Sequence, residues 1–456
     1  MKISQKQVDI LKAAPLDDGG TAQCVLALYL DQFLHCPQIG WMSWTGTHWE
    51  RAGAPAAIKN AIKDTLRHRA IIAFDNGLPK VQQFSIASRH RITGALFILQ
   101  SELTEEITAF DNEPFKLNVK NGVINLTDGV LYRHHRKTHR FTYCIPYEYH
   151  PGTDTSIIEE HYKEDLANPA DMVPFLQRAF GYSLTGSTRE EILFYCYGPA
   201  RSGKDTGIGA FHSMIGEPLG RGIEFATLTE KRYGDTNRAD IATLRQARSV
   251  IASESDRSRA MNAATIKNQT GGNEQFVAMK GKDHFSFTPQ YKPWLTSNWP
   301  IDMDVTDDAA WGRVILIDFP NGHLGNANPA RKEATKSEKF RTALLAWSVT
   351  GAQEWIANGL QIPACSEASK EEHRGAIGSP AEFINACVTK DIGSEVVVST
   401  MYETYDEWCA NNGATSVSKT AFGREMKARK ILQKQKRDPL FPAGRYRAWI
   451  NVKLTI

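Results

Sequence analysis

An unbroken apolar run, Ile192-Leu-Phe-Tyr-Cys-Tyr197, leads directly into Gly198-Pro-Ala-Arg201-Ser202-Gly203-Lys204-Asp205-Thr206 and then into a helical stretch, Ile208-Gly-Ala-Phe-His-Ser-Met-Ile215. Six apolar residues without alternation predict a strand buried on both faces, and such a strand needs a layer of helices on each side. Further apolar strands are predicted at Arg248–Glu254, Tyr291–Asn298 and Arg313–Pro320. Strands alternating with helices over residues 190 to 320 argue for an α/β domain with a mostly parallel sheet.

The segment Gly198 to Lys204 fits the G-x-x-x-x-G-K start of a phosphate loop. Glycines let backbone amides curl around phosphates, the helix N-terminus adds positive potential, and Lys204 reaches the terminal phosphates. The candidate nucleotide-binding residues are Gly198, Arg201, Ser202, Gly203, Lys204, Asp205 and Thr206. A Ser or Thr hydroxyl that binds Mg²⁺ is expected directly after the lysine, but Asp205 stands there, followed by Thr206. Either the Asp205 carboxylate ligates the metal, or Thr206 supplies the hydroxyl from a loop shifted by one residue. A degenerate, weakly hydrolysing site is the other reading.

Three later strand ends complete the candidate chemistry. Val250-Ile-Ala-Ser-Glu254-Ser-Asp256 ends an apolar run in acids, which beside a phosphate loop hold Mg²⁺ and polarise an attacking water. Glu254 is the first choice as general base or metal ligand and Asp256 the second. Asn298 ends the Leu295-Thr-Ser-Asn strand, where it would orient water and sense the γ-phosphate; a turn-forming Asn before Trp299-Pro300 is the plainer alternative. Arg313 precedes Val-Ile-Leu-Ile-Asp-Phe and is a candidate arginine finger acting across a subunit boundary.

At 456 residues the chain is too long for one compact core. Residues 1–105 mix helical patterns with Gly40-Trp-Met-Ser-Trp-Thr-Gly-Thr-His-Trp-Glu50, where Thr45-Gly46 predicts a small hairpin and the tryptophans are expected in the core. Residues 106–188 read as short strands with hairpin turns at Asn121-Gly122 and Asp128-Gly129, then helices. Residues 189–345 form the α/β core, 346–378 a helical segment and linker, and 379–456 helices followed by a β-segment that suits a winged helix. Seven scattered cysteines without a C-x-x-C pair point to free thiols and give no zinc site. No run approaches eighteen uncharged apolar residues, and the N-terminus lacks the apolar core of a secretory signal.

The net charge of +3 is unevenly spread. After Gly413 the chain is rich in Lys and Arg, opposed only by Glu425 and Asp438. A basic helix of roughly Lys419 to Lys436, including Lys427, Arg429 and Lys430, is a candidate duplex-DNA surface or a cap for partner proteins.

In this order the pieces resemble the superfamily 3 helicases, in the branch of phage and plasmid primase–helicases that includes the poxvirus-type NTPases. The resemblance is carried by Phe175-Leu-Gln-Arg178 with Gly181-Tyr-Ser-Leu-Thr-Gly186, the glycine-rich loop, Ser253-Glu254, Ile266-Lys-Asn-Gln-Thr-Gly-Gly-Asn273 (where the usual final Asp is Asn), the Asn298 strand, and Trp311-Gly-Arg313. It implies an AAA+-like core assembled as a homo-hexamer, with ATP and Mg²⁺ between subunits. It also implies a β-hairpin in the central channel, here Phe276 to Phe287, with Lys280 and Lys282 at the tip and His284 assisting. The alternating apolar arms fit a hairpin independently, and lysines there would grip the DNA backbone without reading sequence.

The expected activity is ATP-driven 3′ to 5′ unwinding of single-stranded and forked DNA, for a phage, plasmid or mobile element in a prokaryotic cytoplasm. Primer synthesis is left to a separate primase or polymerase, since no acidic cluster for two metals precedes the resemblance. The alternative is an ATP-switched origin-binding initiator or a helicase-loading NTPase without processive unwinding. No membrane contact is expected.

Overall fold

The computed structural model describes residues 3–75, 88–225, 238–253, 261–278, 284–303, 307–322, 329–376, 379–437 and 445–455. The chain opens with α1 (Gln5–Ala13) and α2 (Asp18–Leu28), then a three-stranded antiparallel sheet of β1 (Phe33–Cys36), β2 (Gly40–Trp44) and β3 (Trp49–Glu50). Helices α3 (Ala54–Asp75) and α4 (Arg89–Glu102) follow. Ser4 starts α1 with a capping box to Gln7, and Asp17 accepts from the Gly20 amide at the start of α2. Val25, Ile58, Ile62, Leu66 and Leu99 form the local core. The Thr45-Gly46 turn joins β2 to β3 with Trp44 opposite Trp49, and Trp41 and Trp49 are buried as expected of core tryptophans.

A second small sheet, β4 (Lys116–Val119), β5 (Gly122–Asn125) and β6 (Leu131–Tyr132), contains both expected hairpins. In the first, the two-residue loop is Lys120-Asn121, because Val119 pairs with Gly122; the turn sits one residue earlier than Asn-Gly implied. Helices α5 (Ser156–Asp165) and α6 (Pro169–Leu184) lead into the central sheet.

That sheet begins with β7 (Leu193–Tyr197), which runs into α7 (Lys204–Ile215), β8 (Gly220–Gly222), α8 (Arg238–Ala242), β9 (Ser249–Ser253) and α9 (Ala263–Thr270). The hairpin β10 (Gln275–Ala278) and β11 (His284–Phe287) intervenes before β12 (Lys292–Ser297), α10 (Asp308–Trp311) and β13 (Val314–Asp318). The order is β13-β7-β12-β9-β8, and every pairing is parallel. Along β7 the side chains alternate between two cores: Phe194 and Cys196 face one, Leu193, Tyr195 and Tyr197 the other. An apolar run without polar alternation is therefore a strand with two dry faces.

Helices α11 (Pro329–Ala334), α12 (Glu338–Asn358) and α13 (Ala364–Ala376) follow. The expected boundary at 345 falls inside α12, whose Phe340, Trp347 and Trp355 share one core with Leu117, Phe180 and Phe194. Residues 106–188, the sheet and α12 are thus one packed body rather than three segments. The expected linker is likewise structured: Ser366 Oγ of α13 donates to the Leu316 carbonyl at 2.6 Å, covering the edge strand β13.

The last unit is α14 (Ser379–Cys387), β14 (Val388–Val397), α15 (Val398–Asn412), α16 (Lys419–Ala428), β15 (Leu432–Arg437) and β16 (Arg445–Leu454), with antiparallel strand order β14-β16-β15. Phe383, Tyr405, Phe422 and Trp449 fill its core. The expected basic helix to Lys436 is shorter: α16 stops at Ala428, Lys430 takes a left-handed φ of 61°, and Lys434 and Lys436 stand on β15.

Candidate functional site

The C-terminal ends of β7, β12 and β9 lie side by side: Ser297 pairs with Tyr197 and Thr296 with Ser253. Ser253 and Thr296 share a 2.8 Å hydroxyl contact across that edge. The loop Gly198–Gly203 leaves β7 here and enters α7 at Lys204. Two of its glycines are sterically required. A Cβ on Gly198 would lie 2.1 Å from the Phe319 carbonyl oxygen, and Gly203 has φ of 91° with the Asp165 carboxylate 2.4 Å from any Cβ. Arg201 is also left-handed, at φ of 63°.

Lys204 is 2% exposed, and its ammonium donates to the Pro199 carbonyl at 3.2 Å and to Asn298 Oδ1 at 2.6 Å. Burial pulls its pKa below the ordinary lysine value, against the pull of Asp205 and Cys196 the other way. Asp205 lies in the exposed first turn of α7, with Oδ2 3.9 Å from Lys204 Nζ; Thr206 beside it is half-buried. Ser202 is fully buried, and its hydroxyl has no hydrogen-bond partner among the described residues. A concave loop of amides at a helix N-terminus, a buried lysine and an orphaned hydroxyl fit a polyanion such as a nucleotide's phosphates. They fit Mg²⁺ less completely, because the donors from this loop are limited to Asp205, Thr206 and Ser202. Glu254 and Asp256 lie outside the described residues, and no cluster of three or more His, Cys, Asp or Glu suited to a metal occurs among those described.

Arg313 does not join this group. It lies at the opposite edge of the sheet, where its carbonyl accepts from the Leu193 amide at the start of β7. One strand length, roughly 15 Å, separates it from the loop. Its guanidinium pairs with Glu191 at 2.7 Å and donates to Thr270 Oγ1 at 2.9 Å. The glycine-rich loop of the same chain is therefore outside its reach.

Sequence reading missed two groups under the loop. Asp165, at the end of α5, is fully buried against Gly203, and Arg331 of α11 reaches its Oδ1 at 2.6 Å. Arg331 also bonds the His161 carbonyl. Burial, reinforced by Arg331, pushes His161 down to about 4. Its Nε2 is 3.9 Å from Asp165 Oδ2, too long for a hydrogen bond, so desolvation outweighs the carboxylate's pull. Contacts between residues this far apart in the chain leave no local sequence signal.

The expected hairpin is present as β10 and β11, with Ala278 opposite His284; Lys280 and Lys282 lie outside the described residues. His284 is exposed and stacks on Phe276, ring centroids 4.9 Å apart at 10°. Val277, Phe285 and Phe287 turn the other way, into a core with Leu34, Met42, Trp49, Ile107 and Phe110. In the C-terminal unit Lys427 and Lys430 are exposed, whereas Arg429 is held by Glu425 at 3.0 Å and Asn385 at 2.9 Å. No described helix is long and apolar enough to cross a membrane.

Comparison with known proteins adds two family matches and several viral relatives. The D5 N terminal like family matches residues 22–168, and the Poxvirus D5 protein-like family matches residues 381–453. A protein of Acanthamoeba polyphaga mimivirus, named as a candidate helicase, is 20% identical over 324 residues, 66% of this chain and 34% of its own. Similarly named proteins of Frog virus 3 and Invertebrate iridescent virus 3 are 23% and 20% identical, over 56% and 60% of this chain and 28% and 30% of theirs. The chain thus spans about a third of the length of the curated relatives it matches. Among solved structures, the apo C-terminal region of NrS-1 aligns with 80% of this chain and 91% of its own at TM-score 0.41 and 10% identity, values too low to carry function across. The chain thus matches D5-type families in its N-terminal and C-terminal parts and is similar, over more than half its length, to viral proteins named as candidate helicases.

Proposed function

We propose that the chain is the ATP-hydrolysing, DNA-translocating part of a viral helicase. The observation that carries this is the Lys204–Asn298 contact, 2.6 Å long, which joins the glycine-rich loop after β7 to the end of the neighbouring parallel strand β12. An anion seated in the loop would meet the buried ammonium, the α7 N-terminus and Asn298 together, which suits stabilising charge on a transferred phosphoryl group. Asp205, Thr206 and Ser202 would hold a divalent cation, which supplies charge neutralisation when bound. In this reading Glu254, or in second place Asp256, would serve as general base or metal ligand.

The sheet order supports an AAA+-like core, since the loop-bearing strand lies between the last and the next-to-last strands in chain order. The helix–strand–helix–helix–strand–strand order after 379 supports a winged helix. Arg313, remote from its own loop, would serve a neighbouring subunit's site, which supports a ring, with a homo-hexamer as the expected form. The hairpin arms would carry Lys280, Lys282 and His284 to single-stranded or forked DNA, with 3′ to 5′ travel; Lys427 and Lys430 would meet duplex DNA. The relatives come from named amoebal, frog and invertebrate viruses, so a prokaryotic host draws no support from them.

The test is steady-state ATP hydrolysis with and without single-stranded DNA, for the native chain and Lys204→Ala. DNA-stimulated turnover that disappears in the variant is expected. ATP binding without turnover would favour the second reading, an ATP-switched initiator or loader, and would turn attention to Asp205 in place of the usual hydroxyl.

A further inference from the structure

The segment after β6, Tyr132-Arg133-His134-His135-Arg136-Lys137-Thr138-His139-Arg140, holds four formal cations and three histidines in nine residues. Its backbone is pinned. Arg140 pairs with Glu105 at 2.6 Å and lies 5.7 Å over the Trp49 ring. His139 bonds the Glu113 carboxylate, and His135 Nδ1 meets Asn118 Oδ1 at 2.9 Å. The Trp49 indole donates to the Lys137 carbonyl at 3.1 Å.

The other three cations are treated differently. Arg133 and Arg136 are exposed and Lys137 is half-buried, and none enters an ion pair among the described residues. Tyr132 beside them is 51% exposed. Three like charges held together on an ordered backbone repel one another, and a bound polyanion relieves that repulsion. A solvated cluster would need no pinning, and this one is fixed to the residue that supports the hairpin. Trp49, which holds Lys137, lies in the same apolar core as Val277, Phe285 and Phe287 of β10 and β11.

We propose that Arg133, Arg136 and Lys137 form a second contact for the phosphodiester backbone of single-stranded DNA, on the N-terminal side of the hairpin. This rests on the helicase reading of that hairpin. The contact positions the strand without reading bases, because arginine and lysine meet phosphate oxygens alike on every sequence. Exposed Tyr132 offers a stacking face beside it.

The test is fluorescence anisotropy of a labelled oligothymidylate from 50 to 200 mM salt. It compares the full chain, the triple variant Arg133→Gln/Arg136→Gln/Lys137→Gln, and a control variant Lys59→Gln/Lys63→Gln on α3. The triple variant should bind more weakly by on the order of a hundredfold or more at 50 mM salt, the difference narrowing toward 200 mM, with a salt slope shallower by about 2, as three lost single-strand phosphate contacts require. The control should bind like the native chain. Native-like slope and affinity in the triple variant overturn the proposal and leave the helicase reading standing. Equal losses in both variants also overturn it, since a diffuse field then accounts for the binding. No binding by the native chain overturns both readings. Loss of binding to phosphatidylserine vesicles with none to DNA would assign the segment to a membrane surface instead. The substituted side chains make no hydrogen bonds among the described residues, so the fold does not depend on them.

Discussion

The Lys204 ammonium donates to Asn298 Oδ1 at 2.6 Å, so the lysine that closes the glycine-rich loop is aimed by the residue just past the adjacent strand. Removing that acceptor leaves the ammonium, among the described residues, the Pro199 carbonyl at 3.2 Å and the more distant Asp205 carboxylate at 3.9 Å. A hydrogen bond to a charged group is worth roughly 1.5–3 kcal/mol. Asn298→Ala should therefore lower ATP turnover by roughly ten- to a hundredfold, with a smaller change in nucleotide affinity. Steady-state kinetics beside equilibrium nucleotide binding would show it, and unchanged turnover would remove Asn298 from the site.

Arg313 lies one strand length from its own loop and is held by Glu191 and Thr270. Arg313→Ala and Lys204→Ala should each abolish turnover alone. A mixture of the two should recover part of it, because some junctions would then pair an intact Lys204 with an intact Arg313 from the next subunit. A mixture as inactive as its parts would exclude a site shared between chains.

Asp205 places a carboxylate where a hydroxyl is usual, 3.9 Å from Lys204. Asp205→Thr should reduce the Mg²⁺ concentration needed for half-maximal turnover if the loop is in the ordinary register. A loss of turnover in that variant would instead make the carboxylate itself the metal ligand. Titrating Mg²⁺ for both chains separates the two.

His161 is held neutral by burial, its pKa pushed from 6.5 to about 4. The unfolded chain takes up this proton below about pH 6.5, while the folded chain refuses it until about pH 4. The contribution is therefore complete above pH 6.5 and is lost as pH falls toward 4. His161→Phe, which suits the ring contacts with Tyr162 and Phe340, should flatten the fall of the melting temperature over that window relative to the native chain. Calorimetry at pH 7.5, 6 and 5 checks this; parallel curves would mean that His161 takes no part.

Lys292 is 1% exposed, and its ammonium donates to the carbonyls of Thr185 and Ser187, just past the C-terminal end of α6, and of Gln290, just before β12. Burial, with Arg248 nearby, drives its pKa well below the usual lysine value. Lys292→Met fills the space but orphans those carbonyls and should cost roughly 1–3 kcal/mol in denaturant unfolding. A neutral result would mean that water replaces the amine.

Four strands of the central sheet, β7, β9, β12 and β13, were legible because each is a largely apolar run, and the sheet's two dry faces require one; the edge strand β8, Gly220-Arg-Gly222, carries no such signal. The β10–β11 hairpin was legible because its arms alternate: Val277, Phe285 and Phe287 inward, Phe276 and His284 outward. Helix α13 was not. Ser-Glu-Ala-Ser-Lys-Glu-Glu-His-Arg reads as solvated linker, yet Ser366 and Ser369 spend their hydroxyls on the edge of β13. Strand β14 was missed for a related reason, since none of its residues is fully buried and Ile392 is 93% exposed. Arg313 illustrates a further limit. Its residue type and its place before the strand were readable, but the contacts that hold it, Glu191 and Thr270, were not, because they come from distant parts of the chain. Asp165 beneath Gly203 depends on tertiary approach alone.

The arms of the hairpin are anchored in the same water-free interior as Trp49 and Met42. In the helicase reading the first hundred residues would be the bearing on which the hairpin turns, and a stroke of the hairpin would be transmitted through Val277, Phe285 and Phe287. A chain cut near residue 105 would lose that bearing and leave three wet apolar side chains where a stiff lever had been.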